Sequence, residues 1–148
     1  MTVATILKNK RPDVKMIRPD ATALALAVQL RAERIGAMIV SADGRSLDGI
    51  ISERDLAYGL AIHGEKLPSL PVSELMTRAV VVCRPEDSIA EIMNIMTLRR
   101  FRHLPVKQED RIVGIISIGD VLKHRLGEAQ LEANVLRDVA IGRVLGGP

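Results

Sequence analysis

The chain contains an internal repeat, and this feature constrains its fold more than any other property of the 148 residues. The motif Gly-Ile-Ile-Ser-x-x-Asp occurs at residues 49–55 and again at 114–120, so five of seven positions are identical at an offset of 65. Upstream, residues 18–19 match 84–85 at an offset of 66, and the one-residue difference falls in a turn-like stretch at 41–45. Because length changes are cheapest in turns, the sequence predicts two copies of one folded unit.

Each copy has the order β-α-β-β-α. Short β-branched runs predict strands at 14–17, 37–41 and 47–52 in the first copy and at 79–83, 103–107 and 111–117 in the second. Helical patterns predict helices at 22–33 and 53–62 in the first copy, and helices beginning at Ser88 and spanning 118–126 in the second. The helix at 22–33 is the more uniformly apolar of the pair, which predicts deeper burial.

The predicted fold class is therefore α+β, with two repeats and a C-terminal helix. The first repeat with its N-terminal lead-in covers residues 1–70, the second covers 71–127, and the C-terminal helix covers 128–148. In that helix Leu131, Val135 and Val139 recur at i, i+4 and i+8, so it must pack on something. It either closes the pair of repeats or extends a dimer interface, and we favour the interface.

Composition excludes several classes of protein. The chain has one Tyr, one Phe and no Trp, which argues for an aliphatic core and against modules that stack bases on aromatic side chains. A single cysteine, Cys83, excludes an internal disulfide and a cysteine-rich metal site, and fits a reducing cytoplasm. The net charge of +3 fits a mixed solvated surface. No signal peptide, membrane-spanning stretch, metal-ligand spacing or catalytic motif is recognisable, so we expect a cytoplasmic protein that is not an enzyme.

Three motifs together resemble a pair of CBS domains, also called a Bateman module. They are the repeated Gly-Ile-Ile-Ser-x-x-Asp, the run Arg-His-Leu-Pro-Val at 102–106, and the lead-in Val-Ser-Glu-Leu-Met-Thr at 72–77. The resemblance covers about residues 3–126 and implies a stand-alone pair of repeats with pseudo-two-fold symmetry. It also implies two clefts that hold adenine nucleotides, and a flat homodimer.

The resemblance assigns a hydroxyl and a ribose-binding carboxylate to each cleft: Ser52 and Asp55 in the first, Ser117 and Asp120 in the second. Each pair lies where a strand ends and a helix begins, so free backbone N–H groups there suit a phosphate. The same spacing is also that of a helix capping box, and spacing alone favours this purely structural role. The resemblance favours a nucleotide site in at least one repeat.

The two clefts are expected to differ in charge. Arg54 stands beside the first carboxylate, whereas Gly119 occupies the matching place in the second. By analogy Arg102 and His103 face the first cleft, and Gly36 faces the second. The first cleft therefore suits a phosphate or polyphosphate, and the second a nucleoside or nothing. The alternative is that the arginine-rich stretch is an exposed helix end.

The base requires an apolar slot, which in this chain is expected to be aliphatic. Candidates are Ile17 and Ile50 in the first cleft and Val82 and Ile115 in the second, although each is also a plausible core residue. We thus predict a regulatory sensor that binds an adenine nucleotide without a metal, AMP first and then ATP, ADP or NAD(H). A structural dimer module with empty clefts is the alternative. Nucleic-acid binding ranks last, and no membrane partner is expected.

Overall fold

The structure, a computed structural model, describes residues 1–145 and their side chains through residue 142, so the last three residues of the predicted C-terminal segment lie outside it. In chain order the elements are α1 (Val3–Lys8), β1 (Met16–Ile17), α2 (Ala23–Glu33), β2 (Ala37–Val40), β3 (Gly49–Ser52), α3 (Glu53–His63), a 3-10 segment (Gly64–Ser69), α4 (Val72–Leu75), α5 (Ile89–Arg99), β4 (His103–Gln108), β5 (Arg111–Ser117) and α6 (Ile118–Leu145). This α+β architecture agrees with the predicted fold class.

The two sheets have matching topology but different completeness. In the first repeat β1 runs parallel to β2, and β2 runs antiparallel to β3, with Ile39 opposite Ile50. In the second repeat β4 and β5 form an antiparallel pair, and only a single parallel bridge between Cys83 and Val106 stands in the place of β1. The predicted strand at 79–83 is therefore wrong except at its last residue. The residues before Cys83 border a cleft instead, as described below.

Helices α2 and α5 begin and end in the same way. The side chains of Thr22 and Ser88 each accept the backbone N–H three residues later at 3.1 Å, which caps each helix start. Each helix ends at an arginine with left-handed backbone, Arg34 at φ 55° and Arg100 at φ 56°. Equivalent positions therefore share even an uncommon backbone state. The burial predicted for α2 is wrong in part, because Leu24 and Val28 are exposed.

Two aliphatic cores lie under the sheets, and the short helices that precede the repeats are exchanged between them. Val3 and Ile6 of α1 are buried in the core of the second repeat. Val72 of α4 is buried in the core of the first repeat. Each lead-in helix therefore covers the repeat that lies farther from it along the chain, and this arrangement joins the two repeats into one unit.

The exchange explains the glycine of the repeated motif. A Cβ at Gly49 would lie 2.7 Å from Met76 Sδ and 2.8 Å from the backbone oxygen of Thr77, which follow α4. A Cβ at Gly114 would lie 2.6 Å from Leu7 Cδ2 in α1. In both copies the lead-in segment of the other repeat approaches this glycine closely, with a backbone oxygen at Gly49 and with a side-chain tip at Gly114.

The C-terminal part of the chain differs from the prediction. Two helices were expected, at 118–126 and 128–145, but α6 is one continuous helix from Ile118 to Leu145. Gly127 lies inside it and is exposed. Glycine in a helix interior lowers stability by about 1 kcal/mol but does not by itself end a helix. Within the described residues, no helix combines the length and the hydropathy that crossing a bilayer would require.

Candidate functional site

A cleft of about 320 Å³ lies between the two repeats and is lined by both of them. Its polar side chains are, from the first repeat, Ser52, Glu53, Arg54 and Asp55, and from the second, Thr77, Arg99, Arg100, Arg102 and His103. This volume falls at the lower end of the range typical of small-molecule sites. The structure therefore brings together Ser52, Arg54, Asp55, Ile50, Arg102 and His103, the sequence-predicted residues of the first cleft other than Ile17.

Ser52 and Asp55 form one end of this cleft, at the start of α3. The Asp55 carboxylate accepts the backbone N–H of Ser52 at 2.8 Å and the Ser52 hydroxyl at 3.2 Å, both on Oδ2. Asp55 thus provides the carboxylate of a helix capping box, as the purely structural role predicts. Its Oδ1 makes no hydrogen bond within the described residues, so one carboxylate oxygen stays available to a ligand hydroxyl.

Four arginines give the cleft an excess of positive charge. Across the described part of the chain, the side chains of Arg54, Arg99, Arg100 and Arg102 form no hydrogen bond or ion pair, although Glu53 lies among them. Exposed arginines are usually solvated, but four around one concave site raise the local concentration of anions. Their planar guanidinium groups also match the oxygens of a phosphate.

Gly36 lies in this same cleft, so its expected position facing the second cleft is wrong. A Cβ at Gly36 would lie 2.7 Å from Glu53 Oε1 and 3.1 Å from His103 Nε2. Gly36 and Arg102 are equivalent in the two repeats, and each carbonyl accepts the first N–H of the following helix, at 3.0 Å from Glu53 and at 2.8 Å from Ile118. Gly36 thus lies against His103, the residue that follows its equivalent in the second repeat, and all three border one cleft.

His103 contributes a half-buried imidazole to the lining of the cleft. Burial lowers its pKa below the ordinary value, because desolvation disfavours the imidazolium, and the nearby Glu53 carboxylate only partly offsets this effect. Burial therefore favours the neutral imidazole, whereas an anion bound nearby would favour the imidazolium, so this side chain can respond to a ligand.

The apolar lining of the cleft was largely missed by sequence reasoning. Ile50 borders the cleft as predicted, but Ile17 is 5% exposed and lies in the core of the first repeat. The stretch Ala79, Val80 and Val81, interpreted from the sequence as part of a strand, supplies most of the aliphatic wall. Phe101, the only phenylalanine of the chain, also lines the cleft, so the slot is not purely aliphatic. The sequence signal that could have placed Phe101 in the cleft was its position between Arg100 and Arg102.

In the second predicted cleft the carboxylate of Asp120 is paired with a lysine of the chain itself. Lys10, just after α1, places its ammonium 2.7 Å from Asp120 Oδ2 and 2.7 Å from the carbonyl oxygen of Ile115. Asp120 also accepts the Ser117 N–H at 2.8 Å, and the Ser117 hydroxyl accepts the Asp120 N–H at 3.0 Å, which completes a capping box. Burial raises the pKa of Asp120, but Lys10 and these hydrogen bonds outweigh it, and the net pKa is below the ordinary value.

The other residues predicted for the second cleft do not converge on one cavity. Asp120 and Lys10 border a cavity of about 450 Å³ between α1 and α6, which Val82 and Ile115 do not line. Val82 instead lines a separate cavity, together with Lys107. No group of three or more His, Cys, Asp or Glu side chains within residues 1–145 is arranged to hold a metal ion.

Comparisons with known proteins identify the family and the fold of the chain. The family model for the CBS domain matches the chain twice, at residues 3–61 and 72–127. The crystal structure of the CBS-domain containing protein ATU1752 from Agrobacterium tumefaciens superposes with a TM-score of 0.82 at 40% identity, over 84% of this chain and 99% of that one. The crystal structure of CBSX2 in complex with AMP superposes with a TM-score of 0.70 at 23% identity, over 86% and 98% of the two chains.

Among curated sequences, the mitochondrial CBS domain-containing protein CBSX3 of Arabidopsis thaliana is 28% identical over 130 residues, which is 82% of this chain and 63% of CBSX3. The chain thus spans less than two thirds of the length of this relative. The family match ends at residue 127, so most of α6 lies beyond it.

Proposed function

The chain belongs to the CBS domain family, and we propose that it acts as a regulatory module that binds an adenine nucleotide in the basic cleft between its two repeats. One observation carries the proposal. The Ser52–Asp55 pair at the start of α3 and the arginines at the end of α5 come from different repeats and border the same cleft. A nucleotide, in which the ribose links the base to the phosphates, offers hydroxyls to the first group and phosphate oxygens to the second.

Each part of the ligand has a proposed partner. Asp55 accepts ribose hydroxyls through its free oxygen, and Ser52 with Arg54 contacts a phosphate at the helix start. Arg102 and His103 contact phosphates from the other repeat, while Ile50 and the stretch around Val80 enclose the base. The likeness to CBSX2 extends to the fold, and its bound AMP makes AMP the first ligand to test.

Regulation follows from the position of the ligand between the repeats. A nucleotide that contacts α3 and the end of α5 together favours the arrangement of repeats that closes the cleft, and shifts the population toward it. The proposal also includes a homodimer, through which a change within one chain alters a surface offered to a regulated partner. The protein would then act by binding, without catalysing a reaction.

The second cleft is proposed to bind a ligand only under one condition. Ser117, Asp120, Ile115 and Val82 would contact a ligand only after Lys10 leaves the Asp120 carboxylate. We therefore expect one nucleotide per chain under ordinary conditions.

Isothermal titration calorimetry with adenosine, AMP, ADP, ATP and NAD(H) tests the proposal directly. We expect binding by at least one of these compounds, and Asp55→Asn should weaken it by about 10-fold or more, since a hydrogen bond to a charged group contributes about 1.5–3 kcal/mol. Asp120→Asn, the equivalent change in the other repeat, is the matched control and should have little effect. Absence of binding at millimolar concentration would overturn the proposal.

The arginines provide a second test. Arg102→Ala should weaken the binding of ATP more than that of AMP, and the binding of AMP more than that of adenosine, because the lost guanidinium contacts phosphate. Arg31→Ala, an exposed arginine in α2, is the control. If no nucleotide raises the melting temperature of a stable dimer, the alternative of a ligand-free interaction module is correct, because a ligand that binds only the native state must raise stability.

A further inference from the structure

The C-terminal half of α6 extends beyond the folded body of the chain. The helix has 28 residues, and every residue from 129 through 142 is exposed. Its contact with the core is made near its start, where Val121 is 1% exposed. A helical segment of this length has marginal stability in water without a packing partner. The segment therefore needs a surface to pack against.

One side of the helix carries a regular apolar seam. The residues of this seam, with spacings that alternate between four and three, are Leu122, Leu126, Ala129, Ala133, Leu136 and Ala140. All six are exposed, including the two within the part of α6 that packs on the body. Alternation of four and three is the a/d pattern of a coiled coil. Val121, which enters the core, faces another side of the helix, so the seam is open to a second molecule.

The charges beside the seam favour one partner and one orientation. If Leu136 is at a d position, Glu132 is at g and Arg137 is at the following e. In a parallel in-register pair of identical helices, Glu132 of each copy lies next to Arg137 of the other, which gives two attractive pairs. The structure describes no hydrogen bond or ion pair within the chain for either side chain, among the residues it covers.

The antiparallel alternative is less favourable. In the register that places Leu126 against Leu136, the two Glu132 side chains meet and Lys123 lies near Arg137, so like charges oppose one another. The parallel arrangement has no such pair. We propose that α6 forms a parallel two-stranded coiled coil with α6 of a second copy of this chain, an interface additional to the body of the two repeats. This inference does not depend on nucleotide binding.

Sedimentation equilibrium of the full chain tests the seam. We expect a dimer whose dissociation constant rises at least 10-fold in Leu136→Glu, because a charge is placed in the seam. Leu131→Glu is the matched control, since Leu131 is 64% exposed against 69% for Leu136 but lies on the opposite side of the helix. Circular dichroism and thermal unfolding of each variant check that the body stays folded. A monomeric wild type, or equal effects of the two substitutions, would overturn the inference.

Cysteine cross-linking tests the orientation. In a parallel pair Leu136→Cys should form an intermolecular disulfide by itself under mild oxidation, and so should Leu126→Cys. The wild-type chain is the control, because Cys83 is buried. Cross-linking only when the two variants are mixed would show the antiparallel register and overturn the proposed orientation.

Discussion

The ammonium of Lys10 and the carboxylate of Asp120 lie 2.7 Å apart and join the segment after α1 to the first turn of α6. Asp120 is the equivalent of Asp55 in the other repeat, so two residues of one motif have different surroundings. Asp55 faces an open basic cleft, whereas Asp120 is neutralised from within the chain. The repeat is thus symmetric in its backbone and asymmetric in the access that it gives to a ligand.

Substitution of Lys10 should open the second cleft. In Lys10→Met the Asp120 carboxylate loses its partner, and we expect the number of nucleotides or nucleosides bound per chain in calorimetry to rise from one to two. The half-exposed ion pair contributes little to stability, so unfolding should become easier by only about 1 kcal/mol. Lys8→Met, which replaces an exposed lysine at the end of α1, is the control. Two ligands bound to the wild type, or one bound to the variant, would contradict this expectation.

The two equivalent glycines should differ in their tolerance of alanine. In Gly49→Ala the new methyl group meets a backbone oxygen, which cannot move without displacing the segment after α4. In Gly114→Ala it meets the tip of Leu7, which can change rotamer. Overpacking lowers the free energy of unfolding by about 1–3 kcal/mol. We expect the loss in Gly49→Ala to be at the upper end of this range and the loss in Gly114→Ala to be smaller. Urea unfolding measures both values; the reverse order would show that α1 is held more rigidly than α4.

Binding of an anionic nucleotide should be accompanied by proton uptake at His103. The pKa of the free imidazole is below its ordinary value because of burial, and the groups that face it are Glu53, Arg102, Lys10 and Asp120. A bound phosphate raises this pKa, so the bound state holds more protons and affinity increases as the pH falls from about 8 to about 6. Titrations in two buffers of different ionisation enthalpy measure the uptake directly.

The controls for this linkage are a ligand and a variant. Adenosine, which carries no phosphate, should show less proton uptake than AMP. His103→Gln should abolish the uptake, whereas His63→Gln, at the exposed end of α3, should leave it unchanged. Uptake that persists in His103→Gln would assign the proton to another group.

The single cysteine should report global unfolding. Cys83 is 2% exposed, and burial, together with the nearby Asp87 charge, raises the pKa of its thiol to about 12. Because the thiolate is the reactive form, we expect iodoacetamide to label Cys83 only through unfolded molecules, and a bound nucleotide to slow the labelling. Mass spectrometry follows the reaction, with guanidinium-unfolded protein as the control. Rapid labelling of the native chain would show that the second repeat opens locally.

The local features of the fold were predictable because they depend on short stretches of sequence. The caps at Thr22 and Ser88 and the antiparallel pair that ends at Ser52 follow from residue type and spacing. The strand predicted before Cys83, which the structure lacks, was also inferred from a local pattern. Val80 and Val81 have high β propensity but border a cleft. Tertiary surroundings override such a propensity, and no local pattern reveals them.

Features that depend on contacts between distant segments were missed. Lys10 reaches Asp120 across 110 positions, and Gly36 of the first repeat meets His103 of the second. The sequence identified Ser52, Asp55, Arg102 and His103 as a set only through the family resemblance, because capping and ligand binding use the same residue types at the same spacing. The distribution of charge in the cleft required the packing of both repeats.

The exchange of α1 and α4 has a consequence for how such a chain can be divided. A break in the 3-10 segment Gly64–Ser69 would leave α4 on the C-terminal fragment and α1 on the N-terminal one. Each fragment would then carry the short helix that covers the core of the other fragment, and would lack the short helix that covers its own core. Neither half is therefore an autonomous folding unit, and proteolytic nicking in this segment should yield fragments that stay associated and separate only on denaturation.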